Sequence, residues 1–542
     1  MKRGSFRRDS LFKILFVLVF FIGFVGEIGF SEEISGRTVV ETKCAVCHFQ
    51  TDGMRSRISF QRKTPEGWEM TVTRMQIVNG LQITPEEKKA VIKYLSDEYG
   101  LAPEEVKDYQ YLLERKDWIV EKLPESLSLV KTVCTRCHSF ARAALQRRTL
   151  EDWLLHIDFH VAAFPTIEYQ AGGRNIDWYG DAKKVAEILA KEFPFESDAW
   201  TKWKNKPDKP DPQGKWRVIG YQPGVGSYQG IVEITRAGGD HYKETFTVEY
   251  ENGTKLSGTG VGTLYTGFQW RGSVKLDNGG RAREVHFLSE DGNTLSGRWF
   301  LPDHSEIGGE DIAYKIGSGS KVLAVSPKAL KTSQGTTTLK IFGVDLPKNL
   351  QAKDISLGEG LSVTKINQAD DQTLTLEVTI DGKAPIGKRN VTVGQITGLE
   401  LLRVYDKVDY IKIVPDSAIA RLGGTTAPKQ LQQFEAIAFS NGPDGTRGTE
   451  DDMDLGLVKA KWEVKEFFRT FDEEDVKYMG SIDQNGLYTP GEEGPNPERP
   501  FETNNAGDAW VVATYQPEGA KPLMARAFLI VTLPRWNKPP LR

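Results

Sequence analysis

At 542 residues, with 70 Lys and Arg against 74 Asp and Glu for a formal net charge of −4, the chain is too long for one hydrophobic core and has no basic footprint for nucleic acid. Its four cysteines all fall in two pentapeptides, so any thiol chemistry is confined to those two places.

The N-terminus reads as a targeting segment. Met1 to Ser10 carry Lys2, Arg3, Arg7 and Arg8, Leu11 to Gly26 is apolar except for Lys13, and the small residues Gly29 and Ser31 precede Glu32-Glu33. This is the order of a secretory signal over 1–31, and it places the mature protein in a bacterial periplasm. The apolar run is short for a membrane span, with an uncleaved anchor as the alternative.

Next come Cys44-Ala45-Val46-Cys47-His48 and Cys134-Thr135-Arg136-Cys137-His138. The C-x-x-C-H spacing fixes a porphyrin edge to one short turn through two thioethers and leaves the next imidazole under the iron. Two covalent haems are therefore expected, on Cys44 and Cys47 with His48, and on Cys134 and Cys137 with His138. A four-cysteine zinc site or two disulfides would use the thiols but give no reason for a His after each pair.

Both motifs lie in a helix-rich stretch that contains a duplication. Gln61-Arg62-Lys63-Thr64-Pro65-Glu66-Gly67-Trp68 matches Gln146-Arg147-Arg148-Thr149-Leu150-Glu151-Asp152-Trp153, each following its haem motif and opening a helix. Glu98-Tyr99 answers Glu192-Phe193 at the end of a later apolar-periodic run, and Thr84-Pro85-Glu86-Glu87 is a capping box with Pro at the first helical position. The expectation is an all-α tandem di-haem cytochrome c region, unit one over 32–115 and unit two over 116–203.

The duplication also selects second axial ligands. Seven residues beyond each Trp stand Met75 and His160. The pairs expected on iron are His48 with Met75 and His138 with His160. Met54 and Met70 compete with Met75, and His156, one helical turn before His160, competes with it. A thioether raises the potential and paired imidazoles lower it, so haem two would receive electrons and haem one pass them on.

After the Pro- and Lys-rich stretch Lys204 to Pro212 the sequence turns to short alternating runs. Trp216–Gly220, Gly230–Ile234, Glu244–Tyr250 and Trp270–Val274 read as strands, punctuated by Asn252-Gly253, Asn278-Gly279 and Asp291-Gly292. An up-and-down antiparallel β-barrel, streptavidin- or lipocalin-like, is expected over 213–317. Immunoglobulin-like sandwiches are expected over 320–413 and 414–542, completing an all-β remainder. His241, His286 and His304 read as surface or packing residues, and the acidic loop Asp444–Asp454 as solvated, with a calcium site as the alternative. No catalytic constellation is expected in this part.

Tandem C-x-x-C-H units with Gln61–Trp68 and Gln146–Trp153, followed by a barrel and two sandwiches in a secreted chain, resemble the α subunit of quinohaemoprotein amine dehydrogenase. The resemblance implies a heterotrimer with a propeller β subunit and a small γ subunit bearing a cysteine tryptophylquinone. It implies oxidation of primary amines to aldehyde and ammonia, with electrons passing through two haem c groups to azurin or a small cytochrome c. Independently of the family, a thioether-crosslinked quinone needs spare cysteines, and none remain once Cys44, Cys47, Cys134 and Cys137 hold haem. The organic step belongs to another chain, and no catalytic residue is expected here. A di-haem peroxidase and a stand-alone carrier with β docking domains are the other readings.

Overall fold

The computed structural model describes residues 34–116, 119–164, 166–167, 169, 176–206, 209–424, 427–468 and 474–534; the signal segment expected over 1–31 lies outside them. Strands make up 41% of the described residues and helices 24%.

The N-terminal region corrects the all-α expectation. Its principal helices are α1 (Pro65–Asn79), α2 (Pro85–Glu98), α3 (Ser128–Cys134), α4 (Leu150–Ala163), α5 (Trp178–Glu192) and α6 (Asp198–Lys204). A hairpin, Gln50–Thr51 with Met54–Arg55, and a three-residue strand, β1 (Gln61–Lys63), precede α1, and a second three-residue strand, β2 (Gln146–Arg148), precedes α4. These two strands are the first halves of the duplicated segments, and they pair antiparallel with each other, Arg62 opposite Arg147. The reason is local. Thr64 and Thr149 each cap the following helix, accepting from the backbone N–H of Gly67 and Asp152, so the residues before them stay extended. Their unpaired backbone groups are then satisfied across the duplication.

The paired arginines are buried. One carboxylate, Glu105, receives both: Arg62 Nη1 and Nη2 lie 2.8 Å from its two oxygens and Arg147 Nε lies 3.2 Å from Oε1. Arg62 also donates to the carbonyls of Phe195 and Gly100 and stacks over Trp200, so the cluster ties both units to α6.

The β part follows the alternating pattern. Strands β3 (Gly214–Gln222), β4 (Gly226–Gly238), β5 (His241–Tyr250), β6 (Lys255–Tyr265), β7 (Gln269–Leu276), β8 (Arg281–Leu288), β9 (Thr294–Phe300) and β10 (Gly308–Lys315) form a closed antiparallel barrel in sequence order. The turn glycines Gly253, Gly279 and Gly292 have φ of +86°, +88° and +71°. One end of the barrel packs on the N-terminal region: Trp200 and Trp203 of α6 join Trp216, Phe268 and Trp270 in one core, and Glu66 of α1 binds Arg271 of β7. Beyond Lys321, two four-stranded sheets enclose one core that includes Leu339, Leu376 and Val391. The last region adds further sheets around Phe434, Trp462 and Leu529, and Glu435 there accepts from Tyr221 and Gly224 at the far end of the barrel.

Candidate functional site

In unit one, Cys44 ends a π-helical turn, Val40–Cys44, and packs into a core with Val39, Ile58, Trp68 and Val72. Burial pushes its thiol up, whereas Cys47 is exposed. His48 Nδ1 donates to the Ser56 carbonyl at 3.0 Å, and burial holds the ring's pKa down. That bond fixes the tautomer and leaves Nε2 for a metal. None of the four cysteines forms a disulfide.

By helical geometry the two methionines of α1 lie on different stripes. Trp68, Val72 and Met75 share one stripe, and the first two pack with Cys44. Gly67, Met70, Thr71 and Arg74 share another, which walls unit two's cavity. Met54 is 39% exposed on the hairpin. Of the three, Met75 is the one on the unit-one side of α1.

Unit two holds a cavity of about 560 Å³ bordered by Cys134, Cys137, His138, His156 and His160. Such a volume lies in the usual range of cofactor sites. Cys134 ends α3, and burial pushes its thiol up to about 12. His138 Nδ1 donates to the Ser139 carbonyl at 2.9 Å, and burial lowers its pKa to about 4, keeping the imidazole in the neutral form that binds metals. His160 Nδ1 donates to the His156 carbonyl at 2.9 Å, which again leaves Nε2 available. His156 makes ring contacts with Trp153, Phe159 and His160, the last edge to face at 4.5 Å. Both imidazoles border the cavity, and His160 is the one whose Nδ1 is held by a backbone carbonyl.

The cavity wall is also short of anions. Among the described residues, Lys63, Arg74, Arg136, Arg142 and Arg148 border it against one acid, Glu66. Arg148 is paired with Asp152, but the Nζ of Lys63, a residue 3% exposed, bonds the Thr71 hydroxyl, and Arg74 lies over the Phe159 ring. Buried cations are stable when paired, so this wall suits a group that brings its own carboxylates, as haem does. Thiols, neutral imidazoles, apolar Val185 and Leu189 and the cationic rim together fit a haem.

The sequence did not single out these cations or the second stripe of α1. The signal was present as Gly67, Met70, Thr71 and Arg74 at helical spacing. Among the described residues no group of three or more His, Cys, Asp or Glu side chains could hold a free metal ion, the Asp444–Asp454 loop included.

Comparisons with known proteins agree along the chain. Residues 34–200 match the haem-binding part of the quinohemoprotein amine dehydrogenase A α subunit, 210–315 its domain II, 319–406 its domain III and 411–541 its domain IV. No curated protein sequence matches. Among solved structures, a de novo designed fluorescence-activating beta barrel is 15% identical over 19% of this chain and 92% of its own, with a TM-score of 0.17. The mouse clustered protocadherin PcdhgC3 EC1-3 is 14% identical over 44% of this chain and 76% of its own, also at 0.17. At these scores neither carries an argument.

Proposed function

The chain belongs to the quinohemoprotein amine dehydrogenase α-subunit family, and from that premise we propose that it is the di-haem electron relay of a multisubunit amine dehydrogenase in the periplasm. An α subunit implies partner subunits. The partners in this reading are a propeller β subunit and a small γ subunit with a cysteine tryptophylquinone. The quinone is assigned to another chain because the cysteines here are committed.

The observation that carries the reading is the repeated arrangement of a C-x-x-C-H turn whose His donates from Nδ1 to a backbone carbonyl, at 3.0 Å for His48 and 2.9 Å for His138. Cys44 and Cys47, and Cys134 and Cys137, would anchor the two groups, with Met75 and His160 as second ligands. When bound, the haems supply one-electron redox chemistry. The chain's own contribution is orientation and environment: backbone carbonyls hold each imidazole, the apolar face of α5 (Ala182, Val185, Ala186 and Leu189) excludes water from unit two, and Lys63, Arg74 and Arg142 would face the haem carboxylates.

Both motifs expose their second cysteine, Cys47 and Cys137, but the one in unit one is flanked by the apolar side chains of Val46 and Phe49, 72% and 71% exposed, a surface suited to a redox partner, which supports an order. In this reading haem two receives electrons from the quinone subunit and haem one hands them to azurin or a small cytochrome c. Neither the peroxidase nor the stand-alone reading draws support from a residue described above.

The test is native purification from the source cells, mass spectrometry of all bound chains, and a primary-amine-dependent haem reduction assay on the same sample. The expected result is two covalent haems on this chain, a small crosslinked quinone subunit, and amine-driven reduction. A lone chain whose haems ignore amines and react with peroxide would overturn the reading.

A further inference from the structure

Among the described residues, two of the cations that border unit two's cavity are buried, Lys63 and Arg148, 3% and 2% exposed. They stand at the same place in the two copies of the duplicated segment, third in Gln61–Trp68 and third in Gln146–Trp153. Only one of them has a counterion within its own copy. Arg148 is paired with Asp152, four residues on, whereas the residue four beyond Lys63 is Gly67.

The glycine does more than remove an acid. The Lys63 stem lies along it: a Cβ at Gly67 would meet Lys63 Cβ at 2.9 Å and Cδ at 3.4 Å. The amine then reaches Thr71, one turn further along α1, whose hydroxyl accepts from Nζ at 2.8 Å and itself donates to the Gly67 carbonyl at 2.9 Å. Gly67 and Thr71 both border the cavity. A side chain that starts on β1 of unit one therefore crosses the first turns of α1 and ends beside the cavity of unit two.

Among the described residues Lys63 Nζ forms no ion pair. The acid that acts on it through space, Asp152, is already held by Arg148 and, at 3.5 Å, by Arg57. An ammonium buried without a carboxylate is costly, and one hydroxyl does not neutralise it. A haem in this cavity would carry the missing carboxylate on its own side chains. The sign of the effect on that haem follows from charge alone. Reduction adds an electron, so a cation fixed beside an apolar, weakly screening site stabilises the reduced form over the oxidised one.

We propose that Lys63 is a positioning residue lent by unit one to haem two, where it holds a haem carboxylate and raises the reduction potential of that haem. This rests on the relay reading and deepens it: paired imidazoles lower the potential of haem two, and a residue of the unit that receives its electron offsets part of that lowering.

The test is a spectroelectrochemical titration of the full haem-loaded chain, haem two being the one whose absorption responds to His156→Ala or His160→Ala. Lys63→Met, which keeps the apolar stem and removes the charge, is expected to move the haem-two reduction equilibrium about tenfold toward the oxidised form, a fall of about 59 mV for one electron, with haem one unmoved and both haems still present by intact mass. Lys63→Arg, which carries the residue of the other copy, is expected to stay within about threefold of the unaltered chain. Lys63→Gln gives the same reading should Lys63→Met fail to fold. An unchanged haem-two potential in the uncharged variant, an equal fall in both haems, or an arginine variant that falls as far as the methionine one overturns the proposal and leaves the relay reading standing. An unaltered chain with no haem on Cys134 and Cys137 overturns both.

Discussion

The two duplicated units begin from nearly the same eight residues and end in different surroundings. Each unit has a core of its own, but unit one packs Cys44 against a small closed one, whereas unit two borders a large cavity and borrows a wall from its neighbour. The difference comes from α1. It gives Trp68 and Val72 to its own unit and Met70 and Arg74 to the other, while α4, its duplicate, places Trp153, His156 and His160 on its own cavity alone. A repeated sequence therefore does not dictate a repeated environment. What surrounds the second face of the helix does.

That contrast can be broken from either side. The largest effect is expected from Cys134→Ala with Cys137→Ala, which should lower the covalent haem count by one in intact mass spectrometry. It should also lower stability by about 4 kcal/mol or more, the scale of a saturating ligand lost from the folded state alone. Cys44→Ala with Cys47→Ala should lose one haem too, with a smaller drop in melting temperature, because Cys44 packs against a closed core whereas the group in unit two would fill a large cavity.

Glu105→Ala is next. Removing the carboxylate leaves Arg62 and Arg147 facing each other across the ladder, which should cost about 3–5 kcal/mol in denaturant unfolding and loosen both units together. If only unit two responded, the shared role given to this cluster would be wrong.

His160→Ala should convert one haem from low-spin to high-spin absorption while His156→Ala leaves the spectrum in place, and Met75→Leu should do the same for the other haem. The reverse outcome for the two histidines would exchange their roles.

The smallest effect is a pH slope. Burial alone would raise the Glu105 carboxyl, but the hydrogen bonds from Arg62 and the charges of Arg147 and Arg62 outweigh it and hold the pKa below the ordinary value. A carboxylate depressed in this way gives its full stabilisation above the unfolded value of about 4.3 and loses it as pH falls through the lower folded value. Unfolding free energy should therefore decline below about pH 4.3, and part of that slope should vanish in Glu105→Gln.

Much of this arrangement was legible beforehand. The cap at Thr84 is local hydrogen-bond chemistry, and the barrel announced itself through Asn-Gly and Asp-Gly turns between alternating strands. Strands β1 and β2 were not legible. Three residues carry no period, and the partner that makes them strands lies 85 positions away, as Arg62 and Arg147 show. They were read as part of the helices they precede. The cavity cations escaped for a similar reason: Lys63 and Arg74 look like ordinary surface charges until unit two covers them.

The β1–β2 ladder matches Gln61 with Arg148, Arg62 with Arg147 and Lys63 with Gln146, so each half presents the same edge to the other. This is the self-complementary contact of a twofold-symmetric dimer, contained in a single polypeptide. An isolated unit would expose that edge to another copy of itself. Joined in tandem, the two halves close the symmetry internally, and neither edge is left free to recruit a third.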